Sequence, residues 1–517
     1  HITDSKLILS RDSVYKQNYG EWSGGVHSNW YVETVININN RYWSNRCEYW
    51  GGAIEVSSSV KIQNIGCIFV INRNLDDMYY EPEDWECGGG ALYIRNTDQI
   101  YNINCTYIKN KGYGNSAIYS KSNFKIFVNI QCTFGFNSGG GIYNIISPVM
   151  INSRCLFIGN TGGKVGGMYS TISYLMVNSH CLFIANRAMS GGGMRVDIIT
   201  HTVAHIDTDA VVIHNINCKF INNKATKKGA GMQLNIRTHQ SPIITFCIVQ
   251  SVFHKNRHHD DTRNDIQGGG LIMDGKLNDV NLTVCLSSVV FNQNQGASGS
   301  ALSLLKGKVV YLNNVLLHYS DSEDTFYDHI VLLKEIKHVY MSNIKVKNIH
   351  LERKTVFAIK SMTFVKFQNV SFHCQKPSYL GEKLEIKNGE MVLNYGCHIC
   401  RDTFYIMNTF YNINTFYDIN TFFLSKEIKS IDGNVWHYNC LKCPTMAVCK
   451  AGKIQSLLNY WGYVSNNQIE MIPCPPKYCC QQEPCDSYNT CNKDRGGFLC
   501  SKCNAHYSLS PRSNTCL

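Results

Sequence analysis

A two-part motif recurs between residues 13 and 302, and it confines the chain to stacked coils. Its first part is an aromatic residue followed three positions later by asparagine, often with cysteine two residues ahead of the ring. It reads Cys67/Phe69/Asn72, Cys105/Tyr107/Asn110, Cys132/Phe134/Asn137, Cys155/Phe157/Asn160, Cys181/Phe183/Asn186 and Cys218/Phe220/Asn223. Tyr15/Asn18, Tyr42/Asn45, Phe253/Asn256 and Phe291/Asn294 lack the cysteine. The second part is a run of small residues ending in an apolar one, such as Gly51-Gly52-Ala53-Ile54, Gly191-Gly192-Gly193-Met194 and Gly268-Gly269-Gly270-Leu271. Successive copies lie between 23 residues (Asn137 to Asn160) and 38 residues (Asn72 to Asn110) apart.

Such a period belongs to a solenoid or array. The leucine ladder of leucine-rich repeats is missing, triple glycines would break helical repeats, and propeller blades need longer units. One coil per repeat remains, with short strands separated by bends. Coils stacked about 4.8 Å apart place equivalent residues above one another, so rings stack in the core and bend asparagines hydrogen-bond along a ladder. Glycines allow close approach at the corners. Insertions at 73–86 and 254–267 account for the uneven period. Only 17% of residues are charged and proline is scarce at 10, in keeping with β structure. The expected fold is all-β: a right-handed parallel β-helix solenoid over residues 1–375, followed by a small disulfide-rich module. Residues 376–435 read as last coils or a connector, and 436–517 as a Cys-rich, epidermal-growth-factor-like or stalk module. The connector holds hexapeptides beginning Thr403-Phe404-Tyr405, Thr409-Phe410-Tyr411 and Thr415-Phe416-Tyr417, read either as an assembly element or as a repeat packed against the helix end.

Twenty-four cysteines favour an oxidising compartment, extracellular or at the cell surface. The disulfide candidates are Cys47 with Cys87, Cys247 with Cys285, and Cys397, Cys400, Cys440, Cys443, Cys449, Cys474, Cys479, Cys480, Cys485, Cys491, Cys500, Cys503 and Cys516. Two of the pairs Cys397/Cys400, Cys440/Cys443 and Cys500/Cys503 could hold zinc, but disulfides fit that compartment better. Cys67 to Cys218 are expected to stack, bridged between coils or as packed free thiols. Asn104, Asn281 and Asn369 head glycosylation tripeptides. No signal peptide stands at His1, which reads as a mature or truncated chain, and no apolar run is long enough to span a membrane.

The Gly-Gly-Ala-Ile and Phe-x-x-Asn elements resemble the repeats of the chlamydial polymorphic outer-membrane proteins and of related β-helix surface proteins in protists and early-branching animals. The resemblance covers residues 13–302, with weaker coils continuing to about 375, and implies surface exposure and adhesion. The bacterial proteins end in a membrane barrel, whereas this chain ends in cysteines, which favours the eukaryotic group. Cys491 to Cys516, with Cys474-Pro-Pro-Lys-Tyr-Cys479, looks like the Cys-rich stalk of large animal β-helix membrane proteins, and so implies a precursor anchored beyond Leu517.

Many parallel β-helices degrade polysaccharides, which requires clustered carboxylates, or calcium with Arg or Lys, on one face. No carboxylate recurs at an outward strand position in adjacent repeats. His258-His259-Asp260-Asp261 with Asp265, and His201, His205, Asp207 and Asp209, could bind metal but read as solvated loops. We expect no enzyme and no cofactor, with a polysaccharide lyase or hydrolase as the alternative. The net charge of +11 is spread along the sequence and argues against nucleic acid. The residues flanking each ring are apolar as well, so one sheet face stays apolar whichever set is inward. Val70, Ile108, Ile158, Ile184 and Ile221 are therefore the assembly candidates. The expected partners are further copies of the chain, as an oligomer or fibre built through faces and ends, and extracellular matrix or glycan.

Overall fold

Single residues in the left-handed region bend the chain into coils. One column of such bends, including Gly66, Asn104, Gln131, Arg154, His180 and Asn217, precedes the aromatic strands. Another, including Ile71, Lys109, Phe136, Gly159, Ala185 and Asn222, follows them. This backbone costs an L-residue about 1–2 kcal/mol. Hydrogen bonds between coils hold it in place: Gln131 donates its N–H to the Ser153 carbonyl at 2.8 Å, and Ala185 to Ile221 at 2.9 Å. The structure, a computed structural model, describes residues 2–516 except 22–23, 75–87, 113–115, 123–124, 165, 199–209, 238–242, 259–267, 276–280, 297, 319–328, 350–354, 362–363, 375–377, 388–389, 400–403, 406–409, 414–415, 419–440, 451–452, 467, 482–484 and 511–514.

Three strands lie between the bends of each coil, for example Leu92–Arg95, Gln99–Ile103 and Thr106–Ile108. Each pairs in parallel with its equivalents in the coils on either side, so that Tyr107 lies between Phe69 and Phe134. A 25-stranded sheet gathers the first two strands of every coil, and a 14-stranded sheet gathers the aromatic strands. The protein is thus all-β, with stacked parallel strands. In some coils the first bend is absorbed into one long strand, as in Ile142–Ser153 and Met168–Ser179.

All ten motif rings stack in one column from Tyr15 to Phe291, with successive centroids 4.6–5.1 Å apart. Strand spacing imposes this distance. The bend asparagines form the expected ladder: Asn137 donates its side-chain N–H to Asn160 Oδ1 at 2.9 Å, and Asn160 likewise to Asn186 at 2.9 Å. A second ladder runs Asn37, Asn64, Asn102, Asn129, Asn152, Asn178 and Asn215, each donating to the next at 2.8–2.9 Å. Both ladders are buried apart from the first rung, Asn18, and each buried amide satisfies its neighbours.

Cys67, Cys105, Cys132, Cys155, Cys181 and Cys218 stack as free, buried thiols. Each donates to a main-chain carbonyl of the preceding coil, as from Cys132 to Asn102 at 3.2 Å. Later coils fill this column with Ser251, Val289, Val315 and Ile344, all buried. Hydrogen bonding to the neighbouring thiols, together with burial, pushes Cys67, Cys132 and Cys181 up, and the same hydrogen bonds pull their acceptors Cys105, Cys155 and Cys218 down against burial.

The parallel order ends at Cys374. The last three parallel strands, Thr355–Lys360, Phe364–Gln368 and Val370–Cys374, take antiparallel partners from the chain that follows. These are Glu390–Ile399, Phe416–Asp418 and Phe410–Ile413 respectively. The chain doubles back and lays a reversed coil over the open edge, a standard liability of sheets. Two hexapeptides supply strands of this coil, so they pack against the end of the stack. The third pairs Phe404–Tyr405 with Leu441–Lys442, and the buried Tyr405 hydroxyl accepts the Ile469 N–H at 2.7 Å.

The C-terminal module is built from short hairpins and the disulfides Cys443–Cys449, Cys474–Cys479, Cys480–Cys485, Cys491–Cys500 and Cys503–Cys516. Such a small unit depends on cross-links, and these fit an oxidising environment. No helix among the described residues is long and apolar enough to cross a membrane.

Candidate interaction surface

In the aromatic strands the ring is buried while the residues on either side of it point outward, half-exposed. Register aligns these flanking residues in two columns. Val70 lies beside Ile108, Ile108 beside Gly135, Gly135 beside Ile158, Ile158 beside Ile184, and Ile184 beside Ile221. The second column runs Ile68, Thr106, Thr133, Leu156, Leu182, Lys219, Val252 and Val290, so it is apolar except at the two threonines and Lys219. All five assembly candidates therefore share one face of the 14-stranded sheet, interrupted at Gly135. The six strands from Ile68–Val70 to Lys219–Ile221 make a mostly apolar patch about 24 Å long and 10 Å wide at ordinary strand spacing, beyond which the candidate column continues as His254, Asn292 and His318.

Two disulfide expectations are corrected. Cys47 is a free buried thiol, because register puts it beside Asn74 rather than a cysteine; burial pushes it up to about 11. Cys247 and Cys285 are direct register partners, yet both are free. In-register side chains of parallel strands point the same way. Their Cβ atoms thus stay near the strand spacing of about 4.8 Å, beyond the roughly 3.5–4.5 Å a disulfide needs. Cys247 instead donates to Cys285, which holds the Cys285 thiol down at about 7. His214 is the next residue in this half-exposed column. Cys87, Cys400 and Cys440 lie outside the described residues, as does the Cys397 side chain. Cys443, Cys500 and Cys503 are consumed in disulfides, so they supply no zinc thiolate. The sulfurs of Cys474, Cys479 and Cys500 converge because two disulfides pack together, with Cys479 and Cys500 Sγ 3.4 Å apart.

Asn104 and Asn369 are exposed at left-handed bends and Asn281 is half-exposed. Of the histidine–aspartate clusters, 201–209 and 259–265 lie outside the described residues, and of His258 only the backbone is described. A carboxylate network absent from the sequence reading centres on Asp197, whose side chain is 2% exposed. Arg195 donates to both its oxygens at 3.0 and 2.8 Å, Tyr169 to one at 3.1 Å, and Asn235 to the other at 2.6 Å. Asp274, two strands away along the same column, is paired with Lys228 at 2.8 Å. The second asparagine ladder was also missed, although Asn-x-x-Cys recurs in register with the motif used.

Compared with family models, with curated proteins and with solved structures, the chain matches none of them.

Proposed function

We propose that the parallel stack is a right-handed β-helix of an extracellular or cell-surface protein that adheres and associates laterally with further copies of itself. The observation that carries this reading is the in-register apolar face of the 14-stranded sheet. Burying these aligned, half-exposed Val, Ile and Leu side chains is favourable, and apolar patches rimmed by polar residues, here Thr106, Thr133 and Lys219, mark interaction sites. The resemblance of the repeats to β-helix surface proteins and the disulfide-closed module support the location. Self-association is directed to the face rather than to the C-terminal end, because the chain covers that edge with its own reversed coil.

The patch spans roughly 240 Å², about a third of what one partner contributes to a standard interface. One lateral contact is therefore weak, and assembly rises with concentration. Sedimentation velocity over a concentration series tests this. The wild type is expected to shift to larger species, and the double variant Ile158→Lys, Ile184→Lys to stay monomeric with an unchanged circular dichroism spectrum. A wild type that remains monomeric at every concentration would refute lateral association.

The alternative, a polysaccharide lyase or hydrolase, finds a carboxylate pair in Asp197 and Asp274. Each is already neutralised by its own cation, which favours a structural role.

A further inference from the structure

The basic residues are dispersed in sequence but gathered by register. The residue after each ladder asparagine points outward, and strand pairing sets these residues in single file. Arg46 lies beside Arg73, Arg73 beside Lys111, Arg187 beside Lys224, and Lys224 beside Arg257. Ser138 and Thr161 bridge the interval between Lys111 and Arg187. All are exposed except Lys224, which is half-exposed. Seven strand spacings make this file about 34 Å long.

No carboxylate stands in the column. The ion pairs among the described residues engage Arg11, Lys125, Arg195, Lys228, Lys306 and Lys334, and none of the six cations of the file. A depression of about 280 Å³ opens on it, lined by Thr161, Gly162, Arg187, Met189 and Thr226. Uncompensated cations in a line, with hydroxyls between them and a shallow cleft alongside, match a ligand with regularly spaced anionic groups along an extended chain.

We propose that this file binds a linear sulfated or carboxylated polysaccharide, laid along the stack with its anionic groups facing successive coils. The proposal rests on the extracellular reading above and gives its adhesive function a ligand class. A polysaccharide fits better than a nucleic acid for two reasons. The file has no aromatic side chains between its cations on which bases could stack, and the disulfide-closed module belongs to an oxidising compartment. Within the file, Arg73 and Arg257 are each followed in sequence by an acidic segment, 75–87 and 259–267, outside the described residues. The test is therefore aimed at its centre.

Heparin and polygalacturonate, the sulfated and carboxylated probes, are titrated into the full chain by calorimetry at low and at physiological salt. The triple variant Lys111→Gln, Arg187→Gln, Lys224→Gln is compared with Lys345→Gln, Lys347→Gln, Lys366→Gln. The control removes the same charge from exposed lysines elsewhere. Removing three aligned contacts is expected to weaken binding about tenfold to a hundredfold, while the control stays near wild type. Affinity is also expected to climb with oligosaccharide length. Equal losses in both triples would reduce the attraction to net charge and overturn the site. Binding of neither probe, or tighter binding of single-stranded DNA of matched length, would overturn the ligand class. None of these outcomes touches the self-association assay, which reads a different face.

Discussion

Asn160→Ala is the most informative single change in the buried ladder. The Asn160 side chain is fully buried and makes four hydrogen bonds. Its Oδ1 accepts the Asn137 main-chain N–H at 3.0 Å and side-chain N–H at 2.9 Å. Its Nδ2 donates to the Phe134 carbonyl at 2.8 Å and to Asn186 Oδ1 at 2.9 Å. After truncation, Asn137 Nδ2 keeps Tyr107 O and Asn186 Oδ1 keeps the Asn160 N–H. The Asn137 N–H and one acceptor position on the Phe134 carbonyl lose their partner. Two buried groups left short at about 1–3 kcal/mol each give a loss of about 2–6 kcal/mol. Asn18, the first rung, is exposed and donates one side-chain bond to Asn45, so Asn18→Ala is expected to cost at most about 1 kcal/mol. Because each coil pairs only with the coils on either side, the loss stays with those neighbours. Native-state hydrogen exchange should show faster exchange at 134–137, 157–160 and 183–186 and unchanged protection at 282–286. An Asn160→Ala cost no greater than that of Asn18→Ala, or a uniform loss along the chain, would refute the ladder argument.

Phe157→Ala removes a ring stacked 4.8 Å from Phe134 and 4.7 Å from Phe183. A local loss of about 3–5 kcal/mol is expected by hydrogen exchange in the same coils. Ala185 is exposed with φ at +53°, so Ala185→Gly relieves left-handed strain without losing packing and should raise stability by about 0.5–1 kcal/mol in urea titration. Alkylation of Cys285 should reach half its maximal rate near pH 7, because its thiolate forms as pH rises through about 7. Cys247→Ala removes the donor, so the midpoint should move upward into the ordinary thiol range; an unmoved midpoint would show that Cys247 does not set it.

The aromatic column and the bend ladder were legible because both rest on one residue per coil at a fixed offset, and stacking in register turns that periodicity directly into contact. The single-residue bends were not. Ile71, Phe136 and Ala185 have no turn signature of their own, since main-chain bonds to neighbouring coils impose their conformation. The disulfide expectation at Cys47 failed because its register partner is Asn74, and that at Cys247 because in-register Cβ atoms of parallel strands stay too far apart. The thirteen-residue spread between Cys503 and Cys516 likewise has no sequence rule behind it, since connectivity follows from the fold. The Thr-Phe-Tyr hexapeptides were ambiguous for a related reason: an even period announces strands but not the edge they pair with.

The cation file shows what the sequence reading structurally overlooks. Arg187, Lys224 and Arg257 are separated by 37 and 33 residues, the same separations as their ladder neighbours Asn186, Asn223 and Asn256. To a scan for charge clusters they are isolated residues, and on that basis the charge looked diffuse. Each follows a buried asparagine whose amide is locked to the next coil, so the outward neighbour of every rung inherits the rung's alignment. In a stacked fold, the surface is best read by indexing residues to the buried repeat before looking for clusters. The apolar face, three residues ahead of the file in each coil, emerges by the same indexing. The proposed polysaccharide file and the proposed assembly face adjoin on one stack, so that lateral association would multiply the number of files offered to one polymer chain.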